Sequence, residues 1–553
     1  WWHLAIGREA VLTRSTVPVD TFSYTFAGQP YHHKDLTADV LFYLAFDRIG
    51  FGGIGVLLAC AVLVAAMGLR LGLGRHRPAV WMVMALAMVA AIQSRLIPRP
   101  LLFSECFFPL LLGLLEHARR KIAAPPRVVS GGAGGRRLDR DRAFGTALLP
   151  VVGLVWLWLN LHRGGVLGLI IVLGFALWTL LARAGALHAR IASLLGPVPS
   201  WTQVAMAFGA FGGAVVAGTL NPSGLALYRT ALAVTDDPIH QTMISEWAAL
   251  TPTLALEVHP AATALIGCAF LVALLRLVWR ATSATGGSGG ADVDVWHVGV
   301  LVVTFAMSVS SVRYLSYASA SAALALGLGW IAWLDARAAR GRSFALPRGL
   351  PYLVALAGLV ATAALNPHER GVGVAQRRYP EGALRAAEMM ELGPRVRNAF
   401  VYGGYVIWEG AGRWRVAIDG RNDMLYPSEF FAEMVRGQRD RERFAAQWVA
   451  APADWVLADN TAEQTCDASG CRERSNFLFL ADDPGWMMVH WSEEAVIYVP
   501  RAGNERLADR AYEHLRANDL VGSLRRALRA ADGDADALHA VRREVSRMVQ
   551  SSP

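Results

Sequence analysis

Two carboxylates near the start of the chain sit where a general base could work. The segment Val17-Pro18-Val19-Asp20-Thr21-Phe22-Ser23-Tyr24 is followed by Gly28-Gln29-Pro30-Tyr31-His32-His33-Lys34-Asp35. A helical pattern over residues 36–48 comes next, with Asp39 and Asp47 on it. An amphipathic helix of this kind can lie in a membrane interface. A carboxylate beside it, within hydrogen-bond reach of an acceptor hydroxyl, would take the hydroxyl proton. Asp35 and Asp20 are the candidates for that role. The plainer reading makes them N-cap and turn residues. His32 and His33 are adjacent, and adjacent residues on a strand face opposite ways, so loop hydrogen bonding fits them better than a shared metal.

Arginines supply the complementary chemistry. Arg95-Leu96-Ile97-Pro98-Arg99-Pro100 separates two apolar runs, with Ser104 and Glu105 just beyond. A guanidinium at a membrane edge commonly snorkels to headgroups, but it also grips phosphate with a bidentate fork that Lys cannot match. Arg99 and Arg95 are therefore candidate phosphate ligands. Glu105 falls inside an apolar run, where a carboxylate is costly and tends to face a cavity. Trp158-Leu159-Asn160-Leu161-His162-Arg163-Gly164-Gly165 joins two apolar runs with almost no loop. It offers His162 and Arg163, and its glycines permit close approach to a ligand; an ordinary tight turn is the alternative. Glu246 and Arg313 are further charged candidates opposite a membrane cavity, whereas Asn221-Pro222-Ser223-Gly224 reads first as a turn.

The elements that must position these residues are membrane spans. Of 553 residues, 54% are hydrophobic and only 18% charged, against roughly 25% charged in soluble domains. That balance excludes a disordered chain, a disulfide scaffold and a purely soluble enzyme. Measured against the roughly 20 residues a bilayer span needs, apolar runs predict ten spans, near 50–72, 78–93, 100–118, 143–160, 163–185, 201–220, 260–280, 295–312, 314–335 and 349–366. Two of these, 78–93 and 295–312, are short. Every second loop is rich in Arg, with Arg119, Arg120, Lys121, Arg127, Arg136, Arg137, Arg140 and Arg142 in one of them. The positive-inside rule makes those loops cytoplasmic. Residues 1–49, the 94–99 turn, the 160–164 turn, the 221–259 loop, residues 311–313 and everything after 366 then lie outside. The formal charge of +9 reflects these loops. No basic stripe with interleaved aromatics appears, so nucleic acid is not an expected partner. The chain opens at Trp1, and a further span before it is expected.

Beyond residue 366 the apolar runs shorten and charge density rises. Residues 401–408, 415–418, 455–457 and 495–499 read as strands, and 380–392, 428–436 and 441–449 as helices. This predicts a small extracytoplasmic α/β domain over 367–503, followed by a helical tail over 504–553. Cys60, Cys106 and Cys268 fall in spans. Cys466 and Cys471 bracket a short loop, and a disulfide between them fits an oxidising compartment; two free thiols or part of a zinc site are the rivals. No Walker loop, dinucleotide-binding glycine pattern or zinc-protease helix is present.

The order of these segments resembles the C-type glycosyltransferases (the GT-C superfamily) and related bacterial multispanning proteins. The residues that carry it are Trp2-His3-Leu4 with Gly7, Pro18 with Asp20 to Tyr24, Gly28-x-Pro30, Asp35, Arg99-Pro100, Asn160-x-His162, Asn221-Pro222-x-Gly224, Glu246-Trp247 and Arg313. Gly403-Gly404-Tyr405 and Ile418-Asp419-Gly420-Arg421 with Asp423 extend it into the C-terminal domain. The resemblance implies a mainly α, GT-C-like membrane domain in a bacterial plasma membrane, and transfer of a sugar from a polyprenyl-phosphate carrier on the outer face. It also implies that an acidic residue of the first outer loop, here Asp20 or Asp35, activates the acceptor. The chain departs from relatives in reading Asp35-Leu36 where they show Glu-Trp, and in lacking their acidic stretch before Trp1. A divalent metal cofactor is left open. Two rival readings stand beside it: a non-catalytic scaffold that keeps the fold and binds protein partners through the C-terminal domain, and a transporter of lipid-linked saccharide.

Overall fold

The computed structural model describes residues 1–31, 33–74, 77–123, 133–186, 188–233, 248–282, 292–341, 349, 353, 378–422, 424–460, 463–467, 470–474 and 476–551. The chain divides into two compact units, one formed by Lys34–Arg370 and the other by Trp1–His33 together with Gly371–Pro553. Helix α1 (Trp2–Thr13) belongs to the two-piece unit.

The one-piece unit is a helical membrane domain. It opens with α2 (Leu36–Ile49), which Gly50 separates from the first long apolar helix, α3 (Phe51–Leu73). There follow α4 (Pro78–Ile92), α5 (Leu101–Ala123), α6 (Ala133–Leu161), α7 (Gly165–Gly185), the short α8 (Ala189–Leu195), α9 (Trp201–Gly218) and the short α10 (Ala226–Ala233). The unit continues with α11 (Pro260–Thr282), α12 (Val295–Ser310) and α13 (Leu315–Ala339). Among the described residues eight helical segments are long and apolar enough to cross a membrane, and all eight coincide with spans expected from the sequence. The run at 295–312 forms a helix of 16 residues, bounded by an Asp294 N-cap and an extended Ser311. The expected span at 349–366 falls almost wholly outside the described residues.

Two features hold this bundle together. Helices α3 and α5 cross at Gly68 and Gly113, where a Cβ on either glycine would run into the backbone of the other helix. Lipid supplies little hydrophobic drive between helices, so close packing of small residues takes its place. Near the C-terminal end of α5, the guanidinium of Arg119 joins Glu116, at 2.7 Å, to Asp294. The ring of His297 meets the same two carboxylates at 3.3 and 3.1 Å. All four side chains are buried, and the set ties α5 to the start of α12.

The two-piece unit is built on a five-stranded sheet. Its strands are β1 (Arg395–Asn398), β2 (Arg415–Val416), β3 (Trp455–Asp459), β6 (Trp486–Trp491) and β7 (Ala495–Pro500), in the order β2-β1-β3-β7-β6. Strand β1 runs parallel to β2 and β3, and the β3–β7 and β7–β6 pairs are antiparallel. A separate hairpin pairs β4 (Glu463–Asp467) with β5 (Gly470–Arg474). Helices Glu381–Met389, Ser428–Arg436 and Arg441–Ala450 form where periodicity placed them, as do helices Leu520–Ala530 and Ala535–Ser551 of the tail; residues 504–519, also expected as α-helix, form only the 3-10 segments Glu505–Arg510 and Ala517–Asp519.

The run at 401–408 is a correction. It reads as a strand by composition, but it folds as helix Gly403–Gly410. Short apolar runs do not separate the two states by pattern alone. Packing bears on this segment, because a Cβ at Gly403 would strike the Ile418 carbonyl and Asp419, one at Gly420 would strike Trp2, and one at Gly404 would press tightly on Trp2.

Residues 1–33 complete this unit. Trp1 packs edge-on against Tyr379 and Tyr405, at 5.4 and 5.1 Å between ring centroids. The Arg8 guanidinium stacks 4.5 Å over the Trp408 ring. The backbone at Phe22–Tyr24 then extends the sheet beyond β2: Val416 N donates to the Phe22 carbonyl (3.0 Å) and Tyr24 N to the Val416 carbonyl (3.1 Å).

Candidate active site

The membrane unit gathers polar side chains at one set of helix ends. Ser104 and Glu105 lie in the first turn and a half of α5. Arg95 precedes that helix in a single 3-10 turn, Gln93–Arg95. His162 and Arg163 occupy the break between α6 and α7, and Arg313 sits in the 3-10 turn Val312–Tyr314 ahead of α13. Asp35 is the N-cap residue of α2, and Asp39 lies one turn on.

A hydrogen-bonded chain fixes the α6–α7 break. Trp158 Nε1 donates to Ser104 Oγ at 2.7 Å, and that oxygen lies 2.6 Å from His162 Nδ1. Gly164 N also donates to Nδ1, at 3.2 Å. An Nδ1 that accepts from a backbone N–H leaves Nε2 to carry the ring proton of the neutral imidazole. A Cβ on Gly164 would collide with both Ser104 Oγ and the His162 ring. This glycine is therefore needed for close approach, as the Arg-Gly-Gly sequence suggested. Next to it, Arg163 N donates to Asp35 Oδ1 at 3.4 Å, so the break is joined to the start of α2.

The guanidiniums converge beside this chain. Arg313 lies within the electrostatic reach of both Arg163 and Arg95. Glu105 is buried, with the Ser316 hydroxyl, Arg95 and Arg313 as its polar surroundings. Tyr317, also buried, faces Glu105, Ser104 and Arg313. Arg95 and Arg313 thus lie near one buried carboxylate, and Arg163 lies near Arg313. Asp39 differs from its neighbours. It is buried, and desolvation, reinforced by Asp35 one turn away, holds its carboxyl well above the usual carboxylate range. Asp35, by contrast, stands half-exposed at the helix start.

Of the residues nominated from sequence, Asp35, Arg95, His162, Arg163 and Arg313 come together. Arg99 is exposed on the following turn. Glu246 lies outside the described residues. Tyr317, Ser316 and Asp39 join the set without having been nominated; of these, only Asp39, an acidic residue one helical turn from Asp35, carried a sequence signal. Among the described residues no cluster of three or more His, Cys, Asp or Glu is arranged to hold a metal ion.

Asp20 sits in the two-piece unit, fully buried in a network of its own. Its Oδ1 accepts from Phe22 N (3.0 Å) and from Arg421 Nη1 (2.7 Å), and its Oδ2 from Ser23 Oγ (2.5 Å). Arg421 also forks onto Asp419, Nε to Oδ1 at 2.8 Å and Nη2 to Oδ2 at 2.7 Å, and Tyr426 donates to the same Oδ2 at 2.9 Å. The guanidinium lies 5.1 Å over the Phe22 ring and 5.3 Å over the Tyr31 ring. The Asp-Gly-Arg motif of the C-terminal domain is thus half of a buried ion triad whose other half is the Asp20 segment. Asp423 of that motif is outside the described residues.

The hairpin register sets Cys466 directly across from Cys471; their side chains lie outside the described residues. The bridge expected from sequence makes a simple prediction. Peptide mass mapping of unreduced protein should find both thiols closed to alkylation, and uptake of label at both would refute the bridge.

No family model and no curated protein sequence matches the chain. Solved structures do. The archaeal oligosaccharyltransferase AglB from Archaeoglobus fulgidus, solved in complex with an inhibitory peptide and a dolichol-phosphate, aligns with a TM-score of 0.51 at 14% identity, over 83% of this chain and 65% of AglB. The chain shares its fold with this oligosaccharyltransferase. The chain thus spans just under two thirds of the AglB length. ArnT from Cupriavidus metallidurans in the apo state aligns over 90% of this chain and 92% of ArnT at 13% identity, with a TM-score of 0.26 that supports no detailed comparison. The architecture expected from the sequence is therefore borne out: a multispanning helical membrane domain followed by a domain that carries a small sheet.

Proposed function

We propose that this GT-C-like protein transfers a sugar from a polyprenyl-phosphate carrier to an acceptor on the outer face of a bacterial plasma membrane, where the C-terminal domain also lies. The observation that carries the reading is the placement of Arg95 and Arg163 near Arg313, with Glu105 beside Arg95 and Arg313 and the Asp35 carboxylate bonded to the backbone of Arg163. A cluster of guanidiniums suits a phosphate group, and AglB, which shares the fold, was solved with a dolichol-phosphate.

In the transfer step Asp35 accepts the proton of the acceptor hydroxyl. The oxygen then forms a bond to the anomeric carbon as the bond from that carbon to the carrier phosphate breaks. The electron pair leaves on the phosphate oxygen, where Arg95, Arg163 and Arg313 compensate the charge. Direct displacement inverts the anomeric centre. Burial, reinforced by Asp35, raises the Asp39 pKa and so disfavours a second negative charge beside Asp35. Asp20 serves the C-terminal fold rather than the reaction.

The test is retention of a synthetic polyprenyl phosphate by the full-length protein, read by native mass spectrometry. A charge-assisted hydrogen bond is worth about 1.5–3 kcal/mol. Arg313→Ala is therefore expected to weaken retention about 10- to 150-fold, and Arg95→Ala similarly. Equal retention by both variants would discard the donor site and favour the scaffold reading.

A further inference from the structure

One hydrogen-bonded chain beside the arginines takes no part in the transfer step above. It runs from Trp158 on α6 through Ser104 on α5 to His162 in the α6–α7 break. Ser104 is wholly buried, and Tyr317 of α13 faces it as well. A hydroxyl is costly to bury unless its bonds are made, and here their directions follow from the partners.

An indole Nε1 can only donate. Ser104 Oγ therefore accepts from Trp158 at 2.7 Å, and its own hydrogen goes to His162 Nδ1, 2.6 Å away. Gly164 N donates to the same nitrogen at 3.2 Å. With two hydrogens directed at it, Nδ1 has no place for one of its own, and the ring hydrogen is on Nε2. A Cβ at Gly164 would collide with Ser104 Oγ and with the ring, so the backbone of the break closes on the imidazole and keeps its orientation. Within this chain only His162 has surface left to offer a ligand: Trp158 and Ser104 are 0% exposed and His162 is 6% exposed. Its neighbour Arg163 bonds Asp35 through the backbone and lies near Arg313. The imidazole thus belongs to the polar group that holds the proposed phosphate ligands.

We propose that His162 donates its Nε2 hydrogen to a phosphate oxygen of the lipid donor, and that Ser104 is the positioning residue that keeps the hydrogen on Nε2. The inference rests on the donor site proposed above and adds a contact of a different kind. Guanidiniums attract an anion by charge, whereas an N–H fixed in direction selects one of its oxygens.

Asparagine and glutamine at position 162 separate this role from a structural one. Asparagine reaches only as far as Nδ1; its carbonyl can accept from Ser104 and Gly164, but it offers nothing at Nε2. Glutamine carries an N–H out to the Nε2 position. Native mass spectrometry of the full-length protein with synthetic polyprenyl phosphate reads both. His162→Gln should retain the lipid nearly as the wild type does, and His162→Asn should lose about 10- to 150-fold. Nitrogen-15 NMR of histidine-labelled protein without lipid, with the His162 signals found by their loss in His162→Gln, should place the ring hydrogen on Nε2. Ser104→Ala should lower that preference about 2- to 10-fold, with retention falling alongside. Retention kept by asparagine and lost with glutamine, equal retention by the two, or a ring hydrogen on Nδ1 would overturn the proposal and leave the donor site standing. A wild type that retains no lipid would remove the donor site itself, and this contact with it.

Discussion

Replacing Arg421 with methionine is expected to unfold the two-piece unit well before the wild type. Arg421, Asp20 and Asp419 are all fully buried, and one guanidinium serves both carboxylates at 2.7–2.8 Å. Removing it leaves two charges in a low-dielectric interior without a counter-ion, a loss of about 3–5 kcal/mol. For a unit of this size that corresponds to a fall of roughly 6–20 °C in melting temperature. Scanning fluorimetry on the tryptophans of this unit would read it. Arg421→Lys should cost less, because the charge remains while the two-pronged geometry is lost. Adding Asp20→Asn to the methionine variant should recover part of the loss, since one orphan charge is then gone. A melting curve that Arg421→Met leaves unmoved would mean that the triad does not hold the unit together, and Asp20 would return as a candidate for chemistry.

The second large effect concerns the membrane unit. Asp35→Asn is expected to lower sugar transfer by about 10²- to 10⁴-fold, the usual contribution of a positioned general base, while polyprenyl-phosphate retention stays within a few-fold. Asp39→Asn should behave differently. Burial raises the Asp39 pKa in the folded protein, so between the ordinary carboxylate value of about 3.9 and that raised value, folding holds a proton that the unfolded chain releases. Stability from this group falls as pH rises through that window. An asparagine removes the dependence, and Asp39→Asn should be as stable as wild type or more so at neutral pH, with transfer largely kept. Full activity in Asp35→Asn would remove Asp35 from the mechanism. Loss of transfer in Asp39→Asn with donor retention intact would hand the role to Asp39.

What the sequence disclosed follows from the range of the interactions involved. A span declares itself in a single window, because lipid demands a continuous apolar run, and eight such helices form where the runs lie. Arg95, Arg163 and Arg313 were visible as charges at span ends. Their convergence follows from alternation, since turns on one side of a bundle share one face. The partnership of Asp20 with Arg421 was not visible, as the two residues lie 401 positions apart and each fits a local turn. Gly403 and Gly404 looked like part of a strand because the reason for them, Trp2 and the Ile418 backbone, comes from elsewhere in the chain.

The sheet extension at Phe22–Tyr24 carries a topological consequence. One domain is assembled from both ends of the chain, so both ends must stand on the same face of the bilayer. The polypeptide that enters the membrane after residue 33 has to come back to the face it left. Parity is therefore fixed by a pair of backbone hydrogen bonds to Val416: the number of crossings between the two pieces is even. The ten spans read from the apolar runs satisfy this rule, and nine would not.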